Sequence, residues 1–277
     1  MAEFDPLSAL RDADRTRYAS LLYIAEDHRA ALATLHLFDL ELARIPGLIK
    51  EPMAGEIRLQ WWREVLSGER QGEGRSHPLA SQLMDVVAQY ELPMSGFGMM
   101  LDGRISDLYS DRFETRTELE AYCGQTRSAL FQLLLQIVDR QALTLSADAS
   151  GHAGCAWGIG QILSSAAMDR GAGKIRIPDD LLQSAGGTAE DWLKAEDNAF
   201  LGRVVGAMVA LGEEHLDKAN RAIEQFKQEA RQVYLPLAGA RLLLRQADRM
   251  SAEVARTPLH LSPFRYHLAL LQRRIRN

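Results

Sequence analysis

Residues 149–168 read ASGHAGCAWGIGQILSSAAM. Twenty consecutive positions lack Asp, Glu, Lys and Arg, which is the length of a membrane span. The content is wrong for one. His152, Gln161 and three serines interrupt the stretch, and large aliphatics are few. Its glycines and alanines instead predict a buried central helix, packed closely by its neighbours.

Working outward, the rest reads as helix after helix. Apolar residues recur at spacings of three and four. Residues 27–45 carry Ala31, Leu32, Leu35, Phe38, Leu42 and Ile45, with a stop expected at Pro46-Gly47. Pro52 suits the first turn of a helix carrying GEIRLQWWREVL. Further helices are predicted at about 78–91, 94–110, 115–138, 197–229, 231–248 and after Pro263. SGERQGEGRSHP (67–78) reads as a surface loop, and DRGAGKIRIP (169–178) as a true break. KIRIP is too short to seed a sheet. No fixed-period repeat points to a solenoid. The expectation is an all-α chain, residues 1–277 forming one domain.

Composition excludes more than it specifies. The chain has 277 residues, 47% apolar and 25% charged, so it can bury a large core without staples. The net charge of −5 argues against a dedicated nucleic-acid binder. Cys123 and Cys155 form no C-x-x-C pair and read as small buried hydrophobes. The opening MAEFDPLSALRDADR is acidic and resembles neither a secretory signal nor a mitochondrial presequence.

Familiar chemical motifs are missing. The chain has no G-x-G-x-x-G after a strand, no G-x-x-x-x-G-K-[ST], no H-E-x-x-H and no G-x-S-x-G. No histidine has Glu three residues before it, which argues against a di-iron bundle site. Asp107 and Asp111 are i and i+4, on one helical face, a spacing that suits Mg²⁺ shared with a diphosphate. Asp102 does not share that face cleanly. Asp39 and Glu41 are i and i+2, so at most one faces the interior. Asp39 is the odder of the two, and either burial or exposure suits it. Glu56, Gln60 and Arg63 form a polar seam along one face. Arg17, Arg29, Arg44, Arg58, Lys174 and Arg176 would make an anion site if the fold brought them together. In GAGKIR (171–176) the glycines let backbone approach a ligand and two cations could clamp a phosphate. Of Trp61 and Trp62 one belongs in the core, and an exposed Trp62 would suit a partner anchor.

The order of segments then carries a resemblance. RYASLLYIAEDHRAALATLHLFDLELARI is followed by GEIRLQWWREVL, HPLASQLM, LDGRISDLYSDRFETRTELEAYCGQT and GIGQILSSAAMDRGAGKIRIPDDLL. This resembles the squalene/phytoene synthase family over nearly the whole chain. The resemblance implies an isoprenoid-synthase-type helical bundle around a central cavity. It also implies head-to-head joining of two prenyl diphosphates, with Mg²⁺ held by two aspartate motifs. Arg29 matches the basic residue before the first motif, Asp107 the aspartate of the D-L block and Tyr122 the aromatic after it. Gln161 matches the G-x-x-Q helix, Lys174 the basic residue before L-P, and Arg176 replaces that loop's tyrosine.

The first motif's place reads Ala43-Arg44-Ile45-Pro46-Gly47, without a carboxylate, and the second reads Gln161 to Met168 with Asp169 the nearest acid. FDLELA, WWR and KIRIP are similar to the branch that holds the respiratory complex I assembly factor. Two expectations follow. One is a non-catalytic or altered member, with no cofactor assigned, that binds an isoprenoid or lipid-like ligand or a respiratory-complex assembly partner. Its diphosphate-site candidates are Arg29, Arg44, Glu56, Tyr122, Gln161, Lys174 and Arg176. It would be a cytoplasmic bacterial protein, with peripheral contact to the inner membrane. The other is a working prenyltransferase with Mg²⁺ on displaced carboxylates Asp39, Glu41, Asp102, Asp107 and Asp111.

Overall fold

The structure, a computed structural model, describes residues 4–49, 51–109 and 112–276. Most of those residues are helical, with no strand among them. The chain opens with α1 (Pro6–Ala13), α2 (Arg15–Leu21), α3 (Glu26–Leu48) and α4 (Pro52–Ser67). Then come α5 (Gln71–Ser76), α6 (Pro78–Tyr90), α7 (Met94–Tyr109), α8 (Arg116–Cys123) and α9 (Ala129–Val138). The second half holds α10 (Ser146–Gly171), α11 (Asp179–Ser184), α12 (Ala189–Lys194) and α13 (Asn198–Ile223). Last are α14 (Gln228–Gln232), α15 (Leu237–Met250) and α16 (Pro263–Arg276).

Local chemistry sets many helix starts. Asp5, Asp14 and Asp197 accept hydrogen bonds from the first free N–H groups of α1, α2 and α13. Thr188 and Asp191 cap each other's backbone at α12. Pro52 and Pro78 occupy first turns, where a missing N–H costs nothing.

The uncharged stretch is indeed the central helix. Ala149, Ala153, Ala156, Ile159 and Leu163 of α10 are fully buried, and α13, α15 and α9 pack around it. No helix of the described residues is long and apolar enough to cross a membrane. The small residues set the distance of approach. A Cβ on Gly154 would stand 2.6 Å from the backbone nitrogen of Ser128, and one on Gly160 would stand 3.4 Å from Cα of Ala240.

Several boundaries differ from expectation. Helix α3 runs through Pro46 to Leu48. A proline so near the end forfeits one backbone bond, and buried Ile45 holds that turn on the core. The expected loop 67–78 contains α5, because Gly74 lets the chain lie against Val65 and Met84. The run expected at 197–229 stops at Ile223, and α15 starts only after Pro236. Between α8 and α9, Gly124–Ser128 form a π-helical turn inside one continuous rod. Trp62, not Trp61, is the core tryptophan, at 1% exposure. It packs edge-on to Phe38. Trp61 is half-buried and donates its indole N–H to Glu73. Both cysteines are free and buried.

The close approach at Gly154 makes a direct test. Gly154→Ala should lower stability by about 3 kcal/mol, read as a shift of the denaturant midpoint. Gly151→Ala on the same helix meets nothing within 4 Å, and should leave the midpoint unchanged or raise it.

Candidate functional site: a buried arginine–aspartate network

Asp39 sits on the inner face of α3, with no solvent exposure. Its Oδ1 accepts from Nη2 of Arg104 at 3.0 Å. Its Oδ2 accepts from Nη1 of Arg17 at 2.7 Å and from Nη1 of Arg127 at 2.5 Å. Arg104 then reaches its i+3 neighbour on α7. Oδ2 of Asp107 accepts from Nη1 of Arg104 at 3.0 Å and from the Tyr122 hydroxyl at 2.9 Å. Oδ1 of Asp107 accepts from Nη2 of Arg176 at 3.0 Å. The guanidiniums of Arg17 and Arg127 lie 4.8 Å and 5.3 Å from the ring centre of Trp157, on α10. One network therefore ties α2, α3, α7, α8, the π turn, α10 and the segment after it.

The charges do not cancel locally. Four guanidiniums meet two buried carboxylates, with Asp14 at the rim as a third, 3.2 Å from Nε of Arg17. Burial alone would raise the Asp39 carboxyl pKa, but Arg127, Arg17 and Arg104 together hold it well below the usual range. Arg127 is pushed down, first by burial and then by Arg104 and Arg17, and Asp39 only partly offsets this. His36, on the turn before Asp39, is pushed down from 6.5 to about 3 by burial and by the same cations.

A pocket of about 280 Å³ opens beside the network, lined by Arg17, Trp157, Gln161, Ser164 and Tyr266 among others. Three buried polar atoms on its lining residues have no hydrogen-bond partner: Nε of Arg17, Oε1 of Gln161 and the Tyr266 hydroxyl. Nε of Arg17 is near Asp14 but out of hydrogen-bond line. Buried polar groups are normally satisfied, so three orphans at one pocket mark a place for a polar ligand or water.

The candidates from the sequence divide sharply. Asp39, Asp107, Tyr122 and Arg176 join the network, and Gln161 lines the pocket beside it. Glu41 turns away and pairs with Arg58 at 2.9 Å. Asp102 is 58% exposed and pairs with Arg63 at 2.6 Å. Glu56 accepts from the Tyr109 hydroxyl at 2.6 Å, part of the expected seam between α4 and α7. Of the carboxylates expected in a prenyltransferase, Asp39 and Asp107 thus meet one arginine, Arg104, while Glu41 and Asp102 lie outside the network. Arg44 is exposed on α3. Arg29 donates to the carbonyls of Ile24 and Leu22 and closes the end of α2. Lys174 is half-buried in the segment after α10, where its N–H bonds the Asp169 carbonyl. Asp111 lies outside the described residues. Among the described residues no group of three or more His, Cys, Asp or Glu is placed to hold a metal ion.

Sequence reasoning missed Arg104 and Arg127. Arg104 had a signal: it falls one turn after buried Met100 and Leu101 and three residues before Asp107. It also missed a second cluster, in which Nδ1 of His152 and His215 are 2.9 Å apart and Nε2 of His215 is 3.2 Å from Glu120.

The squalene/phytoene synthase profile matches residues 10–265. The chain belongs to the squalene/phytoene synthase family. Within it, the chain is 26% identical over 250 residues to complex I assembly factor 6 of Rattus norvegicus, covering 90% of this chain and 74% of the relative. Among solved structures of this fold, a dehydrosqualene synthase with ligand superposes with a TM-score of 0.80 at 16% identity, covering 98% of this chain and 94% of that one. Squalene synthase HpnC from Alicyclobacillus acidocaldarius superposes with a TM-score of 0.73 at 19% identity, covering 92% and 95%. The expected family and fold are thus shown.

Two measurements test the network. Asp39→Ala leaves three buried guanidiniums without their shared anion and should cost about 4 kcal/mol. Asp102→Ala, at an exposed pair, should cost under about 1 kcal/mol. The second is pH dependence. Unfolded His36 takes up a proton near 6.5, but the folded state resists until about 3. Stability should therefore fall as pH drops through that window, and His36→Leu should flatten the curve there.

Proposed function

We propose that this chain is an altered member of the synthase fold. In this reading the cations that meet an anionic ligand are arginines rather than metal ions. One observation carries the reading: both carboxylates of the network are already taken by guanidiniums. Mg²⁺ takes oxygen ligands at close range and demands near-octahedral geometry. The oxygens of Asp39 and Asp107 each point at a guanidinium or a phenol, and a divalent cation there would face four arginines. These residues do not fit the metal. The aspartate motifs of the family are degenerate in this reading, and ionisation of a prenyl diphosphate loses its main electrostatic help.

What remains suits binding. The network has an excess of positive charge, and the adjacent pocket offers unpartnered polar atoms. Its volume suits the head of an isoprenoid or lipid-like molecule rather than a whole prenyl chain. In this reading residues 1–277 act as one helical unit in the cytoplasm; likeness to complex I assembly factor 6 supports its assisting respiratory-complex assembly through a partner protein.

The experiment incubates purified protein with farnesyl diphosphate or geranylgeranyl diphosphate, with and without Mg²⁺. Expected are a raised melting temperature with ligand, no dependence on Mg²⁺ and no condensation product. Arg17→Gln should weaken the ligand about tenfold, the loss of one charge-assisted contact. Mg²⁺-dependent product that disappears in Asp107→Asn would overturn the proposal in favour of a working prenyltransferase.

A further inference from the structure

The charge of this chain is unevenly placed. Residues 237–276 hold eight arginines and two acids, in a chain whose net charge is −5. Part of that excess converges. Helices α13, α14, α15 and α16 enclose a groove of about 460 Å³, lined by Arg221, Arg231, Arg241, Arg245 and Arg273. Asp217 and Glu224 are the acids on its wall. Arg241 and Arg245 make no hydrogen bond or ion pair among the described residues. Arg273 donates Nη2 to Asn220 at 2.9 Å, while its buried Nε has no partner. Burial and the nearby Arg241 lower the Arg273 pKa to about 10. Like charges gathered in a concavity repel one another unless an anion enters.

The helix that forms one wall has a second unusual face. On α16, Tyr266 and Leu270 point inward and pack with Ala19, Leu235 and Ala238. Phe264, Leu268 and Leu271, at i, i+4 and i+7, point outward, with exposures of 77%, 46% and 46%. The groove-lining residues Ala269, Gln272 and Arg273 lie around the helix between these two faces. A soluble surface gains nothing from such a stripe. Arginine beside Phe and Leu on an amphipathic helix matches the interface of an anionic bilayer, where apolar side chains enter the acyl boundary and cations meet phosphates.

We infer that α15 and α16 form a docking surface for an anionic phospholipid bilayer. The groove takes a headgroup phosphate, and Phe264, Leu268 and Leu271 enter the acyl boundary. The surface is separate from the Asp39 network, and docking does not depend on what that network binds.

The test is sedimentation of the full chain with vesicles of phosphatidylcholine alone, and of phosphatidylcholine and phosphatidylglycerol in equal parts. The protein should pellet with the anionic vesicles and be released by salt. Each arginine near an anionic surface contributes about fivefold in partitioning, so Arg241→Gln with Arg245→Gln should weaken it about thirtyfold. Phe264→Ser with Leu268→Ser should also release the protein, although charge is unchanged. None of these four side chains is hydrogen-bonded or buried in the core, and an unaltered melting temperature confirms that the variants are folded. Equal partitioning to both vesicle types, or none to either, overturns the inference. Anionic-vesicle binding that survives both double variants overturns it as well. Sedimentation that fails while inorganic phosphate still raises the wild-type melting temperature assigns the groove to a free anion and overturns the bilayer reading.

Discussion

A carboxylate without solvent is held at the middle of this fold by three guanidiniums. Transferring such a group out of water costs several kcal/mol, and the arginines around it carry the same cost. The arrangement persists because both carboxylates are fully taken: both oxygens of Asp39 are occupied, and Arg104 divides its donors between Asp39 and Asp107. The rings of Trp157 and Tyr122 line the cations with the negative faces of their π systems. Helices distant in sequence therefore have one allowed arrangement at this point. Sliding α7 by one turn would strand Asp39 and Asp107 together.

The same contacts bear on function. In a metal-using site carboxylates gather around a cation that arrives with the substrate. Here the cations are covalently part of the chain and already present. Such a site is charged for an anion before any ligand comes, and it gives up the ability to tune that charge by binding or releasing a metal. In the proposed reading this serves recognition of an anion rather than metal-assisted departure of a diphosphate.

How much of this was legible in the sequence depends on the period involved. The helical class came from apolar spacing, and α10 from an absence of charge combined with small residues. Both are averages over many positions, so single exceptions do not disturb them. Boundaries hang on one or two residues and on tertiary packing. Pro46 signalled a stop that buried Ile45 overrode, and the glycines of 67–78 read as loop although Gly74 permits a helix to dock. At the site, Asp39 stood out because a charge interrupted an apolar face, and Arg17 was among the cations that an anion site could draw on, while Arg104 and Arg127 did not stand out. Arg104 was readable from its i+3 relation to Asp107. Arg127 was not, because the turn that aims it inward breaks the 3.6-residue period. Glu41 and Asp102 were reasonable candidates by type, but each met a surface arginine across a helix seam, and no count of residues in one chain shows which of two seams a side chain faces.

The π turn at Gly124–Ser128 has a consequence for how this rod can vary. A π turn holds one residue more than the α turn it replaces, so everything beyond it is rotated by about 100° relative to an unbroken α-helix. Leu119 and Cys123 before it and Leu130 and Leu134 after it are all buried, so the turn takes up its extra residue locally while both sides face the core. Removing one residue from 124–128 would let the rod close into a regular helix with α9 still in phase, whereas adding one would turn the apolar face of α9 by about 100° toward its flank. Point substitutions are read against neighbours, one contact at a time. This segment is instead sensitive to counting, and its length is a structural determinant in the same sense as any side chain.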